Sequence, residues 1–95
     1  MVIGVLQLDL RLHGPQSLKQ KRSVIQKVLA RCRNRFPASC AEVGHQELWQ
    51  RALLGFAVIS SSEQVVAPIL TRIEDEVLAS GELDLVNAET EFIHY

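Results

Sequence analysis

The sequence predicts an α+β domain, a four-stranded antiparallel sheet with two helices on one face. Three observations carry that expectation. Leu6, Leu8, Leu10 and Leu12 alternate with polar residues near the start. Apolar residues recur at three- and four-residue steps from Leu18 to Phe36 and again from Val65 to Val77. A run that is apolar on both parities extends from Ala52 to Ile59. A period of two marks a strand and a period near 3.6 marks a helix. At 95 residues the chain has length for one domain only.

The first strand covers residues 2–12, with the leucines on a buried face and Gln7, Asp9 and Arg11 on a wet one. His13-Gly14-Pro15-Gln16 breaks the pattern as a turn. Ser17, with Gln20 three residues on, has capping-box spacing and opens the first helix. Leu18, Ile25, Val28, Leu29, Cys32 and Phe36 form its apolar side, and Pro37 ends it, because the residue before a proline avoids the α region.

A weak second strand is expected over Ser39 to His45, then a short irregular link. Gln50 to Ser60 is the strongest strand in the chain. The second helix starts near Ser62 and buries Val65, Val66, Ile69, Leu70, Ile73 and Val77. Pro68 inside it removes a backbone hydrogen bond, so the helix should either bend there or begin later. Ser80-Gly81 stops it, and Leu83 to Phe92 forms the last strand. The order β-α-β-β-α-β makes a ferredoxin-like split β-α-β sandwich. Its expected core contains Leu6, Leu8, Leu10, Ile25, Leu29, Phe56, Val58, Ile69 and Ile73.

Eight of the ten Lys/Arg residues fall between Leu10 and Ala41, a stretch without Asp or Glu. From Ile73 onward there are seven acidic residues and no basic one. The net charge of -1 hides this separation, and a basic segment can still attract phosphates locally. Lys27, Arg31 and Arg35 recur every four residues as a stripe on the first helix. With Lys19, Lys21 and Arg22 they are the candidate RNA-binding residues. Lys21 falls near the apolar side and is expected to reach past the sheet edge by burying its stem. A solvated helix face is the plainer account of the stripe.

The sheet face without helices should show Gln7, Asp9, Arg11, Leu53, Gly55, Ala57 and Ile59. This face of small apolar residues suits a homodimer. His45, Gln46, Trp49, Arg51, Leu53 and Ile59 are the candidate partner-binding residues. Trp49 reads as a lid over the sheet end, as a dimer contact, or as a stacking anchor. Arg51 and Glu42, on neighbouring strands, are placed to form a cross-strand ion pair. Leu54-Gly55-Phe56-Ala57 shares a Gly-Phe-Ala fragment with RNA recognition motifs, but lacks their other aromatics and points Phe56 inward.

No catalytic constellation is present, and neither a metal nor a cofactor is expected, because His and Cys do not recur at ligand spacing. The chain offers no apolar run of about 20 residues and no basic leader, so a cytoplasmic, non-membrane protein is expected. Cys32 and Cys40 then read as reduced thiols.

Ser17-Leu18-Lys19-Gln20-Lys21-Arg22, Arg33-Asn34-Arg35-Phe36 and the segment from Ala41 to Ala52 resemble the YlxP-like family, small bacterial proteins of a domain-of-unknown-function class. The resemblance runs from Met1 to about Glu91. It departs at Gly44, where the family more often has an acid, and at Pro68. It implies a ferredoxin-like fold and a gene usually beside those for translation initiation factor two and ribosome-binding factor A. It supplies no catalytic residues. The combined expectation is a non-enzymatic accessory protein that contacts RNA or the ribosome through its first helix. The alternative is a homodimeric interaction module using the open sheet face; no small-molecule substrate is evident.

Overall fold

A computed structural model describes all residues from Met1 to Tyr95. The elements follow the expected order: β1 (Val2–Leu12), α1 (Leu18–Arg35), β2 (Ser39–Gly44), β3 (Arg51–Ser60), α2 (Glu63–Leu78) and β4 (Leu83–His94). The strands form one antiparallel sheet in the order β2-β3-β1-β4, which is the ferredoxin-like arrangement. No helix is long and apolar enough to cross a membrane.

Local chemistry sets the helix ends. The Ser17 hydroxyl accepts from the Gln20 amide at 3.1 Å, and the Gln20 side chain reaches back to the Gln16 amide at 2.7 Å. Two free amides at the start of α1 are thereby satisfied. Helix α2 takes the early start at Ser62 and runs through Pro68. Both Pro68 and Gln64, whose carbonyl the proline leaves without an amide, lie on the exposed side. Water can serve that carbonyl, so the proline costs less than it would facing the core.

Alternation on β1 and β3 fixes which sheet face is covered. Leu6, Leu8, Leu10, Leu12, Ala52, Leu54, Phe56 and Val58 are buried beneath the helices with Ile25, Leu29, Leu70 and Ile73. Ile69 is only partly buried and packs at the edge of this core. Gly4 lies on the same face, where an added Cβ would collide with Val66 and Leu70. The glycine is what lets α2 approach the sheet.

The opposite face carries no helix. Ile3, Val5, Gln7, Asp9, Leu53, Gly55 and Ala57 are half-buried there by their neighbours alone, and Ile59 is 62% exposed. β4 is an edge strand, and every residue in it except Leu83 and Phe92 is exposed. β2 is interrupted by a bulge between Glu42 and Gly44. At Gly44 a Cβ would stand 2.8 Å from Cδ2 of Leu53, so a larger residue would displace that side chain. The bulge and the glycine turn the strand end toward the open face at His45.

Candidate functional site

The end of β2, the start of α1 and the beginning of β3 meet in a polar cluster. Lys21 is wholly buried. Its ammonium donates to the carbonyl oxygen of His45 at 2.6 Å and stands 2.7 Å from Oε2 of Glu42. Full burial of a lysine is rare unless its charge is paired. His45 is the one non-glycine residue at positive φ, 57°. That conformation costs an L-residue about 1–2 kcal/mol, and the lysine holds it from below.

The imidazole of His45 lies over the open face, with Nε2 3.5 Å from Oδ1 of Asp9. Arg51 donates to both Asp9 oxygens at 2.8 Å. Asp9 opposes Leu53 in the register, so this pair crosses the strands diagonally. The hydrogen bond from Arg51 is the main reason the Asp9 carboxyl is held below its ordinary range; partial burial opposes it, and the charges of Arg51 and His45 add to it.

Beyond this cluster the link between β2 and β3 is tied down by its backbone. The Leu48 amide donates to the His45 carbonyl at 3.0 Å, and the Leu12 amide to that of Gln50 at 2.9 Å. Gln46 donates through its side chain to the Glu42 carbonyl at 3.3 Å. At its tip, Leu48 and Trp49 are 48% and 50% exposed.

Four sequence-based expectations are corrected by this geometry. Lys21 does not reach a phosphate-facing surface, because its stem points under β2 and its charge is spent inside the fold. Arg31 and Arg35 are not a free stripe. Both turn toward Glu76 of α2, Arg35 at 2.5 Å and Arg31 at 3.7 Å, and link the two helices. Arg51 pairs with Asp9 rather than with Glu42, since Glu42 faces Lys21 on the covered side of the sheet. Trp49 is no lid, because it stands outside the buried core.

Lys19, Arg22 and Lys27 remain exposed on the outer side of α1, with Arg33, whose guanidinium donates to the Cys40 carbonyl at 2.7 Å. Among the partner candidates, His45, Gln46, Trp49 and Arg51 gather at one end of the sheet, while Leu53 and Ile59 lie along its open face. A shallow hollow on that face is floored by Gly55 and bordered by Val5, Ala41, Val43 and Ala57. Cys32 and Cys40 are unpaired thiols. Burial pushes Cys32 up to about 11 and raises Cys40 as well, so neither is a reactive thiolate near neutral pH.

Sequence had signalled the Lys21 anomaly through its place on the apolar side of α1. It had not signalled Asp9 as the partner of both His45 and Arg51, a relation set by strand register.

Comparison with solved structures shows the fold alone. The chain superimposes on a structural-genomics protein, YJCS, with a TM-score of 0.56 at 9% identity, over 97% of this chain and 99% of that one. It matches the de novo designed protein Foldit4 at 0.53 and 11% identity, over 98% of each chain. It also matches a mutant form of SnoaB, a cofactor-independent oxygenase from Streptomyces nogalater, at 0.53 and 8%, over 99% of this chain and 92% of that one. At such identities a designed protein and an oxygenase are equally good relatives, so fold assigns no activity. In sequence, the chain is 32% identical over 91 residues to the uncharacterized protein YlxP of Bacillus subtilis (strain 168), covering 96% of this chain and 99% of that protein. The family model described as "Protein of unknown function (DUF503)" matches residues 3–90, and the chain belongs to that family.

Proposed function

We propose that this chain is an RNA-contacting accessory module whose phosphate-facing surface is the outer side of α1. The observation that carries the reading is the exposed set Lys19, Arg22, Lys27 and Arg33 on a helix with no acidic residue. Cations presented on one rigid element, without neighbouring carboxylates, supply sequence-tolerant attraction to a phosphate backbone. The acidic residues of β4, at the sheet edge far from β2, disfavour approach from that side and so orient the encounter. The gene neighbourhood implied by the family resemblance is consistent with a ribosomal RNA target.

The test is titration of a labelled single-stranded RNA, and of purified ribosomal subunits, across a salt series. Affinity should be weak, on the order of 10⁻⁴ to 10⁻⁶ M at physiological salt. The triple variant Lys19→Glu, Arg22→Glu, Lys27→Glu should lower the salt slope by roughly two, at about 0.7 for each phosphate that a single strand no longer has neutralised. An unchanged affinity and slope would reduce the basic face to a solvated helix surface.

A second reading rests on the open sheet face. Ile59, Val43 and Ile93 are 62%, 54% and 42% exposed; Val43 borders the Gly55 hollow, and Ile59 and Ile93 flank Ile3 further along the same face. A homodimer that buries them is supported by that apolar surface. Sedimentation equilibrium decides it: a monomer at tens of micromolar rejects the dimer, and it leaves the α1 reading untouched.

A further inference from the structure

We infer that the hairpin tip between β2 and β3 is a stacking platform for an unpaired base, with Trp49 as the ring that receives it. The inference rests on the RNA reading of α1 and names the form of RNA that fits: single-stranded.

Cost and gain are out of balance at this tip. An exposed link that carries Leu48 and Trp49 half in water gains little from burial. Yet it is fixed by a buried lysine, an ion pair with Glu42 and a residue at positive φ. Such devices destabilise unless everything around them is satisfied, so their use on an exposed tip points to a surface held ready for contact. Rigidity of this kind lowers the ordering cost of binding.

The charge around the tip selects the partner. Lys21 joins the first turns of α1 directly to His45, so exposed Lys19 and Arg22, in those same turns, stand at this end of the molecule. Arg11, exposed, is the free cation there on the open face, since the charge of Arg51 is matched by Asp9; Glu47 is the one acid within the tip. Phosphates tracked by α1 are thus led toward an indole, and an indole with flanking cations is the usual construction for holding single strands without sequence preference. A duplex, whose bases are already stacked, would reach the cations but not the ring.

Trp49 is the sole tryptophan, so its emission reports the contact directly. Unlabelled oligo(A) and oligo(U) should quench and shift that emission in the unmodified protein, while a duplex RNA of equal length should leave it unchanged. Trp49→Ala should weaken single-strand binding by roughly ten-fold or more with the salt slope preserved, and Trp49→Phe should retain part of the affinity. Binding of single strands through α1 with silent Trp49 emission would overturn the platform and leave the α1 reading standing. Loss of both signals would remove both. An emission shift that follows protein concentration without RNA would assign the tip to a protein contact instead, and would equally overturn this inference.

Discussion

The ammonium of Lys21 lies 2.6 Å from the carbonyl oxygen of His45, so a fully buried cation on the first helix fixes the one strained residue at the second strand's end. Two elements well separated in the sequence are joined by this bond. The same oxygen also accepts from the Leu48 amide, so helix and link converge on one acceptor. Glu42, beside it, neutralises the charge that burial would otherwise penalise.

Lys21→Met keeps the buried stem and deletes the charge. It leaves Glu42 without its partner and the His45 carbonyl with the Leu48 amide alone. A loss of about 3 kcal/mol is expected in urea unfolding, the low end for a broken buried pair because Glu42 can regain water. The double variant Lys21→Met, Glu42→Leu should recover most of that loss. A single variant as stable as the parent would show that the pair does not hold the loop.

Strain at His45 is separable from its side chain. His45→Gly and His45→Ala both remove the imidazole, and differ only in their tolerance of positive φ. The glycine variant should be the more stable by about 0.5–1 kcal/mol, once its greater freedom in the unfolded chain is subtracted. Equal stabilities would mean that the backbone relaxes when the ring is gone.

Most of the fold was legible in the sequence because β1, β3 and both helices bury one face each, and burial imposes a period. Leu8 and Phe56 carry that signal plainly. β4, expected over Leu83 to Phe92 and found over Leu83–His94, carried less of it, since an edge strand with exposed residues on both faces shows little alternation. At the site, the apolar position of Lys21 was visible on the helix, but its destination was not. That destination depends on Glu42 facing the covered side of β2 and on the His45 carbonyl just beyond the bulge, partners that only the folded chain brings to the helix. The pairing of Asp9 with Arg51 likewise follows from the offset of β1 against β3, a relation that no single segment encodes.

Acid sensitivity should trace in part to Asp9. Its carboxyl is held below the ordinary range chiefly by the hydrogen bond from Arg51. A depressed folded-state value means the stabilisation is complete above the unfolded pKa of about 3.9 and disappears as pH falls through the folded value. Asp9→Asn has no such titration. The gap in melting temperature between parent and variant should therefore be widest near pH 6 and close toward pH 2. A gap that stays constant with pH would assign the effect of the substitution to packing.

Glu76 should matter more than a typical surface acid. Arg31 and Arg35 of α1 both converge on it, and its side chain is only 14% exposed. One exposed ion pair contributes about 0.2–1 kcal/mol, but here removing the acid leaves two guanidinium groups of α1, one turn apart, without a counter-charge at the helix contact. Glu76→Gln should accordingly cost on the order of 1 kcal/mol, and the cost should shrink at high salt. Reversing Arg31 and Arg35 to Glu should be worse, because three carboxylates would then crowd the same seam. Reversal of Lys19, Arg22 and Lys27, which have no such partner, should leave the unfolding midpoint nearly unchanged. Chemical denaturation of the two sets at low and high salt distinguishes them. Equal stabilities would mean that the helices are held by their apolar faces alone and that Arg31 and Arg35 are free to meet a phosphate.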